Sequence, residues 1–286
     1  MADSANLGTA HTIDLPSGRI AYRERGDGPP VVFVHGILVN ADIWRNVVPT
    51  VADAGYRCIS PDWPLGAHTV PMPPSTDLSP PGVARLIAEF LAGLDIEDAT
   101  VVANDTGGAL TQLLMTEHPD RVGRVVLTPC DAFDYFLPPG FKPLTTLSAV
   151  PGFVWLLSRL ARFEFVQRSP LAFGMVTKKL PPKDVVASYL RPGHESAAIR
   201  RDTQRFLRGI HKKYTLAAAE KLPEFKHPVL LVGAADDRVF PAHLADRLAE
   251  KLPDVHRATV ADSYTFVPED QPAELSRLIV DFLRSD

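Results

Sequence analysis

The stretch Val101-Val102-Ala103-Asn104-Asp105-Thr106-Gly107-Gly108 decides the reading of this chain. An apolar run of strand length gives way to small and polar residues, and Leu110, Leu113, Leu114 and Met115 then follow at helical spacing. A strand therefore turns tightly into a helix. Ala103 stands two residues before Asp105, and Gly107 and Gly108 stand two and three after it. Small neighbours at those places let the backbone turn sharply enough to push one side chain out above a sheet. In such a nucleophile elbow the exposed residue is ordinarily serine; here it is Asp105. The same residues also read as plain turn chemistry, with Asp105 as a helix N-cap. The flanking chain has to decide between the two.

Upstream, Thr12–Leu15 and Arg19–Glu24 alternate around Pro16-Ser17-Gly18, a hairpin signal. Val31-Val32-Phe33-Val34 is continuously apolar, as expected of a strand covered on both faces, and it ends at His35-Gly36. A helix is expected over Ala41–Ala54, a strand over Arg57–Ser60, a surface loop from Pro71 to Pro81, and an amphipathic helix over Gly82–Leu94. Downstream, Arg124–Thr128 is another buried strand. From Phe133 to about Leu216 only helical fragments appear, at Val154–Phe163, Leu171–Lys179 and Ser196–Ile210. Strand and helix then alternate again through Val229–Val232, Pro241–Leu252, Arg257–Val260 and Pro272–Leu283.

This rhythm predicts an α/β fold with a doubly wound, mostly parallel, eight-stranded sheet. Residues 1–132 and 217–286 form its core, and 133–216 form a helical cap inserted between the sixth and seventh strands. Ligands of such sheets gather outside the carboxyl ends of the strands. Polar loops leave those ends after Val34, Ser60, Ala103 and Val232. Their convergence favours the elbow reading.

Composition narrows the function classes. With 286 residues, 45% hydrophobic and 22% charged, the chain is long enough for one large domain carrying an inserted subdomain. A net charge of −4 without a long basic run points away from nucleic acid. The apolar runs are far short of a membrane span, and Met1 to Ala10 lacks the apolar core of a secretory signal. Cys58 and Cys130 fall in or beside buried strands, where free cysteine acts as a small hydrophobe, which suits a reducing cytoplasm. There is no C-x-x-C and no histidine pair at helical spacing, so neither a metal nor another cofactor is expected. The expected partner is a small-molecule substrate.

Taken in order, His35-Gly36, Asp62-x-x-x-Gly66, Asn104-Asp105-Thr106-Gly107-Gly108 and Gly233-Ala234-Ala235-Asp236-Asp237-Arg238-Val239-Phe240-Pro241 resemble the α/β-hydrolase superfamily. Aspartate at the elbow resembles its haloalkane dehalogenase and epoxide hydrolase branches. The resemblance implies that the Asp105 carboxylate attacks a saturated carbon and forms an ester, which an activated water then hydrolyses. It also implies an oxyanion hole at the backbone N–H groups of Ile37 and Thr106. The supporting acid is expected at Asp237, with Asp236 and Asp131 as alternatives.

The resemblance fails at the histidine. The last loop reads Ala261-Asp262-Ser263-Tyr264-Thr265-Phe266-Val267-Pro268-Glu269-Asp270-Gln271-Pro272, and Thr265 stands where the family has its base. Threonine is no general base near neutral pH, so an ester on Asp105 is expected to persist. His68, in the loop after the fourth strand, is the nearby candidate for activating water. The places that hold a leaving halide in dehalogenases carry Ile37 and Thr106, and Tyr135, Tyr189 and Tyr214 are the cap tyrosines that could donate to an epoxide oxygen. Aromatic and apolar cap residues, Trp155 and Phe163 among them, predict an apolar ceiling, and Trp155 is assigned to substrate binding. The expected function is attack by Asp105 on a small, largely apolar epoxide, alkyl halide or related electrophile. The alternatives are a lyase, isomerase or cyclase with Asp105 as general base, and a non-catalytic small-molecule-binding protein.

Overall fold

The computed structural model describes residues 4–170 and 172–285. Leu171, which opens one expected cap helix, and the first three residues of the polar N-terminal stretch lie outside the described residues. Eight strands make one sheet: β1 Thr9–Leu15, β2 Gly18–Arg25, β3 Pro30–Val34, β4 Arg57–Pro61, β5 Ala99–Asp105, β6 Val122–Cys130, β7 Val229–Ala234 and β8 Val255–Val260. Their spatial order is β1-β2-β4-β3-β5-β6-β7-β8. The first two pair as the expected hairpin, β2 runs antiparallel to β4, and every other pair is parallel. Val31 to Val34 and Val101 to Ala103 are fully buried. Successive strand side chains point to opposite faces, so burial of every one means both faces are covered.

The helices, in chain order, are α1 Val48–Asp53, α2 Pro80–Gly93, α3 Thr106–Glu117, α4 Lys142–Leu147, α5 Phe153–Leu160, α6 Glu164–Gln167, α7 Phe173–Val176, α8 Lys183–Glu195, α9 Ala197–Gly209, α10 Lys212–Lys221, α11 Ala242–Lys251, α12 Val267–Asp270 and α13 Pro272–Arg284. In the core, α2 packs on α3 and α1 on α13. Helix α2 shows how local sequence builds an element. Ser79 caps it by accepting from the Gly82 N–H, two prolines open its first turn, and Val83, Leu86, Ile87, Phe90 and Leu91 are buried. All segments from α4 to α9 lie between β6 and β7.

Four elements depart from the periodicity. The helix expected over Ala41–Ala54 breaks into a 3-10 turn, Ala41–Trp44, and α1, because Pro49 has no N–H to continue an earlier helix and instead opens a new one. The helix expected over Leu171–Lys179 shrinks to the single turn α7. Its continuation is diverted, since the Thr177 hydroxyl and the Lys178 N–H both donate to the Asp270 carboxylate. Helix α8 escapes the periodicity reading because prolines stand before it and within its last turn, at Pro192. The Pro71–Pro81 loop is only partly on the surface: Met72, Thr76 and Leu78 are buried, and Asp202 on α9 accepts from the Met72 N–H at 2.8 Å. Helix α10 crosses the 216/217 boundary and packs against α3 in the core.

Candidate active site

The backbone of Asp105 has φ 56° and ψ −132°, a left-handed conformation that side-chain-bearing residues seldom adopt. Close approach on every side forces it. A Cβ added at Gly107 would stand 2.3 Å from the Val34 carbonyl oxygen, and one at Gly108 would stand 2.3 Å from the Cys130 Cβ. One at Gly36 would stand 2.0 Å from Asp105 Oδ2. The glycines therefore let α3 descend onto β3 and β6 and let the carboxylate lie over the loop that leaves β3. Asp105 makes no side-chain capping bond into α3. Its carboxylate instead faces the backbone N–H groups of Thr106 and Ile37, whose dipoles favour its charged form.

The loop carrying Ile37 is held from below by His35. Trp63 donates its N–H to His35 Nε2 at 2.9 Å, which leaves Nδ1 to donate to the Gly36 carbonyl at 2.8 Å. Burial pushes the His35 pKa down to about 4, so this ring is a neutral structural strut. Leu38 takes a positive φ of 59°, and its N–H reaches the Leu65 carbonyl at 3.0 Å.

Three carboxylates gather at this end of the sheet. Asp237, in the loop after β7, accepts at Oδ1 from the Val239 N–H (2.7 Å), the Phe240 N–H (3.1 Å) and the Thr265 hydroxyl (2.8 Å). Its Oδ2 is buried without a partner. Asp131, just past β6, accepts from the Thr106 hydroxyl at 2.8 Å, and its Oδ1 is likewise unpartnered. None of the three is paired with a cation among the described residues. Burial accordingly raises all three pKa values. Asp105 rises to about 7: burial dominates, the Thr106 amide opposes it, and the field of Asp237 adds to it. Asp131 lies well above the ordinary carboxylate range through burial and the charge of Asp105. Asp236 is different. It sits half-exposed at the surface, 2.5 Å from Lys178 Nζ.

Sequence reasoning missed Asn104. Its Nδ2 donates to the Thr128 hydroxyl (2.7 Å), the Pro129 carbonyl (3.3 Å) and the Thr265 carbonyl (2.8 Å), so it ties the elbow to the loop after β8. Its place inside the elbow motif was the available signal. Above the site lies an apolar cavity of about 470 Å³. Asp105 and Ile37 line its floor, and its walls include Leu157, Phe165, Phe173 and Phe266.

Residues 29–272 match a family described as alpha/beta hydrolase fold. The chain belongs to that family. It is 27% identical over 273 residues to haloalkane dehalogenase 2 of Mycobacterium tuberculosis, covering 94% of this chain and 92% of that protein. It is also 27% identical over 288 residues to the cis-3-alkyl-4-alkyloxetan-2-one decarboxylase of Shewanella oneidensis, covering 96% of this chain and 87% of that one. Among solved structures, the ligand-free epoxide hydrolase CorEH superposes with a TM-score of 0.81 at 20% identity, over 96% of this chain and 98% of that one. This α/β-hydrolase is an enzyme related to haloalkane dehalogenases and epoxide hydrolases.

Two expected residues of this hydrolase lie away from the cavity. His68 is not a base for Asp105 in this arrangement. The Gly66 N–H donates to its Nδ1 at 3.4 Å, its Nε2 faces Asp202 Oδ2 at 3.5 Å, and it is not part of the cavity wall. An acid of cap helix α9 thus engages the imidazole and locks it between loop and cap. Trp155 is corrected too. Val154, Leu157, Ser158 and Ala161 line the cavity at the three- and four-residue spacing of one helix face. Trp155 projects from the other face, 48% exposed, with the Arg159 guanidinium 5.4 Å from its ring. Of the cap aromatics, Phe165 and Phe173 line the cavity and Phe163 does not. Of the three tyrosines only Tyr189 lines it, and its hydroxyl donates to Glu269 at 3.2 Å.

No helix among the described residues is long and apolar enough to cross a membrane. Cys58 and Cys130 are free and buried.

Proposed function

We propose that Asp105 attacks an apolar electrophile through its carboxylate and forms an ester on the enzyme. One observation carries this reading. The carboxylate stands on a strained elbow, facing the Thr106 and Ile37 amides, at the floor of an apolar cavity. One oxygen attacks carbon while the other becomes the ester carbonyl and keeps the two amide donors. When water later attacks that carbonyl carbon, the same amides face the developing oxyanion.

The leaving group departs with little help in this site. The Ile37 side chain has no donor, the Thr106 hydroxyl donates to Asp131, and the Tyr189 hydroxyl donates to Glu269. Substrates that carry their own driving force therefore fit best: a strained ring or a stable leaving anion. Epoxides, alkyl halides and four-membered lactones meet that condition. For hydrolysis, the proton of the attacking water passes to Asp237 through the Thr265 hydroxyl, which already donates to that carboxylate. Such a relay is a weaker base than histidine, so ester release is slow.

Among the described residues no imidazole lines the cavity, which favours a second reading, release without water. The Shewanella oneidensis relative is named for an alkyl-substituted oxetan-2-one. If Asp105 opens such a ring at C4, the ring oxygen takes the bonding pair and becomes a carboxylate. Loss of that carboxylate as carbon dioxide forms the C3=C4 double bond and returns the C4–oxygen pair to Asp105. No proton moves, and no base is needed.

Mass spectrometry of the intact enzyme after exposure to a bromoalkane, a terminal alkyl epoxide and a dialkyl oxetan-2-one tests both readings. An adduct on the Asp105 peptide, absent in Asp105→Asn, is the expected result. In ¹⁸O-water, hydrolysis labels the Asp105 carboxylate, whereas elimination leaves it unlabelled and yields an alkene and carbon dioxide. No adduct and no turnover with all three classes would sink the proposal.

A further inference from the structure

A second chamber of about 450 Å³ lies in the cap beside the first cavity. Ser158, Gln167 and Leu190 line both, so the two spaces share a wall. Their chemistry is opposite. The first is walled almost wholly by hydrocarbon. The second carries Arg162, Lys183, Arg191 and His194 over an apolar base that includes Leu180 and Val186. Its one carboxylate, Glu164, is already bonded to Arg168 at 2.8 Å.

One unpartnered donor on the chamber's lining, at His194, points to what it accepts. Arg159 Nη1 lies 3.4 Å from His194 Nε2, which makes Nε2 the acceptor and places the ring hydrogen on Nδ1. That Nδ1 is buried with no partner, and so is Arg159 Nε. A buried donor left unpaired is costly, and His194 lines the cationic chamber, which favours an acceptor-rich ligand there. Charge distribution agrees. Residues 133–216 hold 14 Lys and Arg against 5 Asp and Glu, whereas the rest of the chain holds 16 against 29. A chain of net charge −4 thus concentrates its positive charge in the cap.

We propose that the second chamber binds the anionic head, a carboxylate or a phosphate, of a substrate whose apolar chain passes over the shared border of Ser158, Gln167 and Leu190 to reach Asp105. The substrate is then an anionic amphiphile rather than a small neutral electrophile. This deepens the reading of Asp105 as nucleophile and rests on it for the reaction, though binding of the head group does not require reaction. The cations and the His194 N–H hold the head by charge-assisted hydrogen bonds, and the hydrocarbon walls take the chain.

Calorimetry on the wild-type enzyme with three unreactive probes, decanoate, decyl phosphate and decanol, separates head-group binding from chemistry. At low salt at least one of the two anions binds about tenfold more tightly than decanol, and the tighter of the two identifies the head. The double variant Arg162→Gln/Lys183→Gln, at exposed side chains, removes that preference and leaves decanol binding unchanged, which shows that the fold and the apolar cavity persist. Equal affinity for all three probes, or an anion preference that survives in the double variant, overturns the proposal. Adduct formation on Asp105 is read separately. An anion preference without any adduct defeats only the nucleophile reading, and an adduct from a neutral bromoalkane without an anion preference defeats only this one.

Discussion

Replacing Asp105 with asparagine should make this enzyme more stable at neutral pH while abolishing ester formation. Asparagine keeps the shape of the side chain, and its carbonyl oxygen can face the Thr106 and Ile37 amides as the carboxylate does. What it removes is a charge that burial disfavours. The Asp105 pKa lies at about 7 in the folded protein against an ordinary 3.8. The folded state therefore holds the proton more tightly than the unfolded chain between those values, and stability falls as pH rises through that window. The difference spans about three pH units at 1.36 kcal/mol each, an upper bound of ~4 kcal/mol that is complete above pH 7 and absent below pH 4. For a chain of this size that corresponds to a rise in Tm of at most about 7 °C at pH 8. Urea unfolding of both proteins at pH values from 4 to 8 checks the sign and the shape. An asparagine variant less stable than wild type at pH 8, or offset by the same amount at pH 4 and pH 8, would refute the claim that Asp105 stores an unpaired charge.

The same titration sets the rate at which Asp105 is alkylated. With a pKa of about 7, only about 1% is ionised at pH 5, so adduct formation followed by mass spectrometry should be ~100-fold slower there than on the high-pH plateau. Asp237→Asn removes the carboxylate whose field raises the Asp105 pKa, and the midpoint of the alkylation profile should move to lower pH. Thr265→His should place an imidazole beside Asp237 and speed decay of the ester by about 10² or more, read as steady turnover replacing a single burst. Gly36→Ala puts a methyl 2.0 Å from Asp105 Oδ2, so the carboxylate must leave its seat. Alkylation should then drop by ~100-fold while circular dichroism shows the fold intact.

Elements with strong periodicity were legible in the chain. Val31–Val34, Val101–Ala103 and α2 came out where their apolar patterns placed them, because burial on one or both faces writes itself directly into residue order. The elbow was legible for a different reason. Its glycines answer close contacts with the Val34 carbonyl and Cys130, and only a few residue types tolerate such contacts. The cap was read poorly. Helix α8 was hidden by its prolines, and α7 ends early because Thr177 and Lys178 turn to serve Asp270, 93 and 92 residues further along. Contacts at that separation leave no local trace.

The site divides along the same line. From residue order came Asp105 above a strand end, and the family resemblance pointed to Asp237, four residues before Pro241, and to the threonine where the family keeps its histidine. Only the folded chain decided which groups meet. His68 has a plausible loop position, yet Asp202 holds it, and that acid lies 134 residues away. Trp155 has the right chemistry for a cavity but the wrong helical phase. The isolation of three carboxylates without a cation among the described residues, and the pairing of an apolar cavity with a cationic chamber, belong to tertiary structure for the same physical reason. Local pattern records how each segment meets solvent or core. Electrostatics and cavity shape depend on distances between segments that the local pattern does not contain.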